Sequence, residues 1–234
     1  MLSHKLYNVV TKVSPLKKAL DVLRDAVSLR RSRRRGHYSQ HSEDLFLVQY
    51  FGDRLGRYLD VGANHPFRIS NTYLLYTKGW SGVVIEPIEE HCRLHRKYRP
   101  RDTQMPIAVG AQKSRLKFFE LIPSVLSTFD EIEAQKHIAS GCTLRSTRET
   151  DVVTLAEVFE MHSTAASWDL LSVDTEGLDF QVLSSNDWSR YRPTLVLFEA
   201  ASAEQTASDS LLESVGYRKI RVFGCNRIYE AQAV

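Results

Sequence analysis

The chain has 234 residues, 43% of them hydrophobic and 25% charged, which is ordinary for a soluble globular protein and suggests one main domain with an appendage. No apolar run approaches the roughly 18 residues that a membrane-spanning helix needs, and the basic N-terminus lacks the apolar stretch of a secretory signal. Cys92, Cys142 and Cys225 are scattered and form no CxxC pair, which argues against a disulfide framework or a structural zinc site. We therefore expect a cytoplasmic protein.

The net charge of +3 is unevenly distributed. Residues 1–35 hold ten Lys and Arg against two Asp, a net charge of +8, and the 21 basic and 26 acidic residues of the remainder give −5. Ser14 as cap and Pro15 as first residue predict a helix. Its apolar positions repeat at helical spacing: Leu16, Leu20, Leu23 and Val27. The run RRSRRRG that follows predicts a solvated hinge, so we assign residues 1–36 as a basic N-terminal extension.

Three interpretations of this extension stay open. Basic residues near an anionic membrane are attracted to it, which would place the protein peripherally at the inner membrane surface through residues 1–35. A nucleic acid would also attract them, although we do not favour that partner. The extension could equally be solvated or pack in an oligomer.

Strands and helices alternate in the body, residues 37–234. SEDLFLVQYFG predicts a helix with Ser42 as its cap and Gly52 as its stop. YLDV, GVVIEP and MPIAVG predict three strands. The helices between them are SNTYLLYTKGW, capped by Ser70 or Asn71 and ended by Gly79, and EEHCRLHRKY.

Residues 112–135 interrupt the alternation. LKFFEL predicts an extra strand and SVLSTFD a loop, and the pattern of the polar segment HIASGCTLRSTRET favours neither helix nor strand. TLAEVFEMH predicts a helix with a capping box of Thr154 and Glu157. WDLLSVD and PTLVLFE predict strands on either side of the short helix LDFQVLSS, and EQTASDSLLESVG predicts a helix that stops at Gly216.

YRKIRVF and RIYE, joined by GCN, predict a closing antiparallel hairpin. Strands that alternate with helices indicate a doubly wound, mostly parallel α/β sheet of the Rossmann-like type. The terminal hairpin places one antiparallel strand at its edge.

The turn after the first strand reads DVGANHP. A dinucleotide site needs GxGxxG here so that backbone N–H groups can approach the pyrophosphate. In this chain Asn64 and Arg68 stand at the second and third glycine positions, and Asp60 would repel phosphate. The turn therefore favours a nucleoside with a cationic tail, such as S-adenosyl-L-methionine. Gly62 would let the backbone approach the ligand, and Asp60 would accept from its ammonium group directly or through water.

Two further strand ends complete the predicted cofactor site. Glu86, which ends the second strand, stands where an acid receives ribose hydroxyls. Ala108 and Val109, at the end of the third, would flank the adenine.

The fourth and fifth strands end in acids, which defines the predicted acceptor side. Asp174 and Glu176 in VDTEG are candidates for a base or for a group that orients a hydroxyl, with His65 third. Asp174 could instead cap the following helix, Glu176 could be solvated, and His65 could bond locally to backbone. Glu199 adds a third acid, and three acids could hold a divalent metal, although we expect none.

Nucleobase methyltransferases commonly carry an Asn/Asp-Pro-Pro-aromatic stretch at the fourth strand. DTEG has neither the prolines nor the aromatic residue. This difference counts against a nucleobase acceptor and fits an aliphatic hydroxyl. Ser127 and Thr128 lie in the interruption and are candidates for acceptor binding.

Several stretches together resemble the FkbM family of S-adenosylmethionine-dependent O-methyltransferases: YSQHSEDL, YLDVGANHP, SNTYLLYTKGWSGVVIEP, LST at residues 126–128, and LLSVDTEGLDFQVL. The resemblance covers roughly residues 38–200. It implies that residues 37–234 form a class I methyltransferase domain, and that the reaction is methyl transfer to a hydroxyl, often on a sugar of a glycolipid, polysaccharide or natural product. It also implies that Asn64, Pro87 and Gln40 belong to the cofactor site. The family usually has glycine where this chain has Ser42.

Two alternatives use the same fold. An NAD-type oxidoreductase would share the architecture but lacks its glycine cradle here. A non-catalytic nucleoside-binding module would keep the cofactor site and lose the acceptor side, and the acids at Asp174 and Glu176 argue against it.

Overall fold

The structure is a computed structural model that describes residues 15–162, 167–175, 177–200 and 205–233. It separates the chain into two compact units, Met1–His37 and Tyr38–Val234. None of the described helices is long and apolar enough to cross a membrane.

The first unit contains helix α1, Pro15–Arg35. The helix continues through the arginine run, so the prediction of a hinge over RRSRRRG was wrong. Arg33, Arg34 and Arg35 form its last turn, where the negative end of the helix dipole stabilises cations. The predicted cap, Ser14, lies outside the described residues.

The second unit begins with α2 and ends with β10. Its described helices are α2 (Glu43–Phe51), α3 (Tyr73–Thr77), α4 (Glu89–Tyr98), α5 (Glu131–Ala139), α6 (Leu155–Met161), α7 (Asp179–Ser184) and α8 (Gln205–Ser214). Its described strands are β1 (Arg57–Val61), β2 (Ser81–Ile85), β3 (Thr103–Met105), β4 (Ala108–Val109), β5 (Ser114–Ile122), β6 (Thr143–Val153), β7 (Leu170–Val173), β8 (Leu195–Glu199), β9 (Tyr217–Phe223) and β10 (Asn226–Ala231).

Seven of these strands form the main sheet, in the order β3-β2-β1-β7-β8-β10-β9. β3, β2, β1, β7 and β8 are parallel, which confirms the predicted doubly wound α/β fold. The predicted hairpin is also present, but its antiparallel strand β10 lies between β8 and β9 rather than at the edge. The strand order reverses between β1 and β7, so a crevice is expected beyond their carboxyl ends.

The core lies on one face of this sheet, where apolar side chains of the central strands pack against α6 and α7. Its fully buried members on the strands include Leu59, Val61, Ile85, Leu171, Val173, Val196 and Phe198. The residues that alternate with them, such as Tyr58, Leu170 and Leu197, are buried on the other face. Strands covered on both faces read as nearly continuous apolar runs, which is why the sequence identified them.

A smaller sheet has the order β4-β6-β5. MPIAVG, predicted as one strand, divides at Pro106, which has no N–H for a sheet ladder. β3 is therefore the edge strand of the main sheet on this side. Ala108 and Val109 pair instead with Val152 and Val153 of β6. The extra strand predicted over LKFFEL is present as part of β5. β6 covers most of the unassigned polar segment and pairs with β5 along its length.

A buried guanidinium links the elements around β1. Arg99 follows α4 and is fully buried. Its Nε donates to Asp102 Oδ2 at 2.7 Å, its Nη2 donates to Thr72 Oγ1 at 2.9 Å, and its Nη1 lies 3.7 Å from Asp60 Oδ2. The Tyr58 hydroxyl donates to Asp102 at 2.8 Å. This cluster joins β1, the loop before α3 and the entry to β3.

Replacing Arg99 tests whether the cluster stabilises the fold. Arg99→Met leaves the Asp60 and Asp102 carboxylates without their cation, and we expect a loss of about 3–5 kcal/mol in the free energy of unfolding. Urea unfolding measures this loss. Arg96→Met in the same segment is the control, because the Arg96 side chain is 47% exposed and its ion pair should contribute at most about 1 kcal/mol. Equal losses in the two variants would contradict the role of the cluster.

Candidate active site

The turn after β1 is hydrogen-bonded to the carboxyl ends of the two neighbouring strands, β2 and β7. The N–H of Gly62 donates to the Ile85 carbonyl at 3.0 Å, and the N–H of Asp174 donates to the Val61 carbonyl at 3.0 Å. Gly62 has φ +77°, and a Cβ on it would lie 1.8 Å from the Asp174 carbonyl oxygen. The sequence suggests glycine here for the approach of a ligand. The structure instead requires it because the end of β7 passes over the turn.

Glu86 holds the same turn from the side of β2. Its Oε2 accepts from the Asn64 N–H at 2.8 Å and its Oε1 accepts from the Ile88 N–H at 2.6 Å. Asn64 has φ +46°, a left-handed conformation that Asn tolerates better than most residues. The buried Glu86 carboxylate has about four acceptor positions. Two are engaged by backbone, so the residue can also accept from two ribose hydroxyls, and it fits the predicted cofactor in this respect.

Two buried histidines belong to this region, His65 in the turn itself and His95 in α4. His95 Nε2 lies 3.1 Å from the Asn64 carbonyl oxygen, and burial lowers the pKa of His95 well below its usual value. The neutral ring can therefore donate to that carbonyl. His65 is buried, and its Nδ1 accepts from the Phe67 N–H at 3.4 Å. The sequence allows two roles for His65, a local hydrogen bond to backbone or a part in catalysis. The first is present in the structure, and the second stays a prediction.

Asp60 lies at the fourth position of β1 and is buried. Its carboxylate accepts from the Thr72 hydroxyl and faces Arg99. Burial raises the pKa of Asp60, whereas the charge of Arg99 and the bond from Thr72 lower it. These contacts give Asp60 a role in holding the turn, and its predicted contact with a ligand ammonium group stays a prediction.

The segment before α2 is held by two buried acids. Asp44 Oδ2 accepts from the Tyr38 N–H at 2.6 Å, and Glu43 Oε2 accepts from the His41 N–H at 2.8 Å. Glu43 Oε1 also accepts from the amide of Asn226 at the start of β10. Gln40 lies exposed between the two held positions, and its part in the cofactor site stays a prediction.

Ser42 precedes α2 but makes no side-chain cap hydrogen bond, so its predicted capping role was wrong. Its φ is +71°, in the left-handed region. Glycine adopts this conformation without steric cost, which gives a physical reason for the glycine that the resemblance places here.

The small sheet is tied to the loop that follows Glu86. Arg148 donates to the Pro87 carbonyl oxygen and pairs with Glu120 at 2.9 Å. Arg145 pairs with Glu90 in the first turn of α4 and lies 3.0 Å from Glu120 Oε1. These contacts fix β5 and β6 beside the carboxyl end of β2, where Pro87 was predicted to contact the cofactor.

The predicted acceptor residues Ser127 and Thr128 belong to this sheet region. Ser127 Oγ accepts from the Leu121 N–H at 3.0 Å, and Thr128 pairs through its backbone with Phe119. Both residues thus have structural partners within the loop, and binding of an acceptor by either stays a prediction. Ala108 and Val109 are buried in β4, so they do not end the third strand of the main sheet as expected.

Two of the predicted acids lie at neighbouring strand ends: Asp174 directly follows β7, and Glu199 is the last residue of β8. The Cys225 thiol, in the turn between β9 and β10, donates to Glu199 Oε1 at 3.1 Å. The charges of Glu199 and Asp174 both contribute to a raised pKa of Cys225, of which burial is the largest cause. Glu176 lies outside the described residues. The described residues contain no group of three or more His, Cys, Asp or Glu that could hold a metal ion.

Asp179 is an acid near Glu199 that was not predicted from the sequence as part of this region. It is the first residue of α7 and is buried, and its Oδ2 accepts from the Thr175 N–H at 3.4 Å and from the Thr175 hydroxyl at 3.2 Å. Burial raises the pKa of Asp179 to about 7; the bonds from Thr175 oppose this and the charge of Glu199 adds to it. The available signal was a third acid in DTEGLD, five positions after Asp174.

Alanine at Gly62 tests the close approach of β1 and β7. The new Cβ would lie 1.8 Å from the Asp174 carbonyl oxygen. We expect the free energy of unfolding to fall by about 1–2 kcal/mol because of the positive φ and by a further cost of about 1–3 kcal/mol because of overpacking. Gly141→Ala is the control, because Gly141 also has positive φ, +100°, but a Cβ added there would have nothing within 4 Å. Chemical denaturation should show the larger loss for Gly62→Ala, and similar losses would contradict the contact.

The pH dependence of stability tests the environment of Asp179. Because its folded pKa is raised from 3.8 to about 7, its contribution favours the folded state below pH about 4 and is lost as the pH rises to about 7. Asp179→Asn should remove this decline, whereas Asp151→Asn, at a side chain that is 71% exposed, should retain it. Urea unfolding at several pH values measures the difference. A decline that persists in Asp179→Asn would show that another group causes it.

Two solved structures illustrate what the fold is similar to. The TehB-like SAM-dependent methyltransferase from Corynebacterium glutamicum is 10% identical, with a TM-score of 0.43, over 92% of this chain and 100% of that one. The O-methyltransferase from Bacillus cereus in complex with SAH is 10% identical, with a TM-score of 0.40, over 88% of this chain and 90% of that one. Likeness at this level bears on neither the substrate nor the reaction of this chain. No curated protein sequence matches it significantly.

The family model of the methyltransferase FkbM domain matches residues 60–219. This match begins at Asp60 and includes the turn at Gly62, Glu86, and the acids that follow β7 and β8. The match supports a methyltransferase rather than the NAD-type oxidoreductase, which would have the same fold. The chain therefore belongs to the family of FkbM methyltransferases, and its cofactor is S-adenosyl-L-methionine.

Proposed function

We propose that the protein is an O-methyltransferase that acts on a hydroxyl group, with a sugar of a glycolipid, polysaccharide or natural product as its acceptor. The observation that carries this proposal is the acidic cluster formed by Asp174 and Glu199 at the carboxyl ends of β7 and β8. It lies against the cofactor turn, because the Asp174 backbone contacts Gly62. An acceptor bound beside the cofactor would therefore meet carboxylates.

Carboxylates suit a hydroxyl acceptor for a chemical reason. A hydroxyl oxygen must be oriented and must lose its proton as it bonds to the methyl carbon, and a carboxylate can accept that proton. A nucleobase acceptor would instead need a stacking surface for a flipped base, and the turn after β7 has no aromatic residue in DTEG. The acidic cluster thus supports transfer to oxygen.

Within this proposal the acids have different roles. Asp174 directly follows β7 and is the candidate base or orienting group, with Glu176 and His65 as the other candidates. Asp179 accepts from the backbone N–H and the hydroxyl of Thr175 and so positions the turn after β7. Glu199, which is only partly buried, would bind an acceptor hydroxyl.

When bound, the cofactor would supply an activated methyl group on a sulfonium sulfur, and the methyl–sulfur bond would break to leave a neutral thioether as the acceptor oxygen bonds to the methyl carbon. We propose that Glu86 binds the ribose hydroxyls and that Asp60 attracts the ammonium group. Gln40, Asn64, Pro87, Ala108 and Val109 would complete the site, the last two beside the adenine. Alignment of the reacting atoms by these residues can contribute roughly 7–11 kcal/mol to lowering the barrier, and a base adds about 10²–10⁴-fold.

We also propose that the protein works in the cytoplasm. This location fits the three cysteines, all of which are free thiols in the structure. A lipid-linked sugar acceptor would bring it to the inner membrane surface, whereas a free glycan or small molecule would not.

Replacing Asp174 tests the proposed chemistry. Asp174→Asn keeps the shape and removes the carboxylate, so we expect turnover to fall about 10²–10⁴-fold with a change of at most a few-fold in the Kd for S-adenosylmethionine. Asp151→Asn, at an exposed acid of β6, is the control and should keep full turnover. Methyl transfer and calorimetric titration measure the two quantities. Near-normal turnover of Asp174→Asn would contradict the assignment.

Mass spectrometry can identify the acceptor. A bacterial or cellular extract is incubated with the protein and with methyl donor that carries an isotopic label. Label on a sugar hydroxyl supports the proposal, and label only on nitrogen or on a nucleobase overturns it. Binding of the donor without any transfer would favour the non-catalytic alternative.

A further inference from the structure

Helix α1 exposes apolar side chains on one of its faces. Val22 is 53% exposed, Leu23 60% and Val27 43%. At about 100° per residue, these three positions and Ala26 fall within one half of the helix circumference. Exposed apolar residues that share a face indicate a surface that another apolar medium can cover.

The same face becomes strongly basic towards the C-terminus of the helix. Arg30, Arg33 and Arg34 follow on this half of the circumference, Arg31 lies just beyond its border, and Arg35 lies on the opposite half. All five arginines are exposed. The exposed face of α1 thus combines an apolar part, formed by Val22, Leu23, Ala26 and Val27, with a basic part, formed by Arg30, Arg33 and Arg34.

We infer that this face of α1 is a docking surface for a membrane with anionic headgroups. An interfacial helix buries its apolar side chains at the boundary between headgroups and acyl chains while its basic side chains contact anionic lipid. A nucleic acid would use the arginines but would leave the apolar part in water. The arginines would repel one another if two copies met through this face. The inference goes beyond the proposed reaction and does not depend on the acceptor.

Co-sedimentation of the full chain with lipid vesicles tests the inference. We expect binding to vesicles that contain about one third phosphatidylserine, and none to phosphatidylcholine alone. Binding should weaken strongly when salt is raised from about 0.1 M to about 0.5 M. The triple variant Arg30→Gln, Arg33→Gln, Arg34→Gln should bind about 100-fold more weakly, since each basic residue contributes about 1 kcal/mol.

Two further variants make the test specific. Leu23→Ser with Val27→Ser should weaken vesicle binding about tenfold or more while leaving all charges in place. Lys113→Gln, Arg115→Gln, Lys117→Gln removes three exposed charges from the body and should change vesicle binding by no more than about two-fold, because it leaves α1 intact.

Three outcomes would overturn the inference. The first is an absence of salt-sensitive vesicle binding. The second is that the protein binds a DNA or RNA duplex but not vesicles, and that the variant Leu23→Ser with Val27→Ser still binds the duplex. The third is an equal loss of vesicle binding in the α1 and body triple variants. Because these measurements report binding alone, their failure would leave methyl transfer untouched, and failure of methyl transfer would not affect them.

Discussion

The fully buried guanidinium of Arg99 fixes the part of the fold on which the cofactor site depends. It contacts Asp60 in β1, Asp102 just before β3, the Thr72 hydroxyl and, at 3.5 Å, the Pro66 carbonyl oxygen. Those contacts hold both ends of the long loop between β1 and α3. A charge without water must be paired to be tolerated, so these contacts favour the loop arrangement in which Arg99 is satisfied.

The turn after β1 and the turn after β7 are joined by backbone rather than by side chains. Gly62 and Asp174 meet where β1 and β7 end, and only a residue without Cβ permits that approach. Glu86 adds the second constraint, since its carboxylate is bonded to the turn after β1 and to the turn after β2. These turns are therefore held in place before any ligand binds, which would reduce the ordering cost of binding there.

Much of this arrangement could be predicted from the sequence. The strands β1, β2, β7 and β8 are apolar runs with turn residues on either side, and the capping box of Thr154 and Glu157 is present as predicted. These features depend on neighbours in sequence. The ends of parallel strands meet at one sheet edge, so the approximate location of the acids Glu86, Asp174 and Glu199 followed from the strand pattern.

The rest depended on contacts between residues far apart in the chain. β6 is polar and largely exposed, and it is a strand because β5 pairs with it. Arg99 lies between charged neighbours in YRPRD, and nothing local distinguishes it from Arg96 or Arg101. The environment of Asp179 arises from burial beside Glu199 of another strand, which spacing alone does not reveal.

A crystal structure with bound S-adenosylhomocysteine tests the central claim most directly. The claim is that the turn after β1, fixed by Arg99 and Glu86, forms a nucleoside site beside an acidic acceptor site. It predicts that the Glu86 carboxylate accepts from both ribose hydroxyls, at about 2.5–3.0 Å, while it keeps its bonds to Asn64 and Ile88. A ribose bound away from the carboxyl end of β2 would contradict the claim.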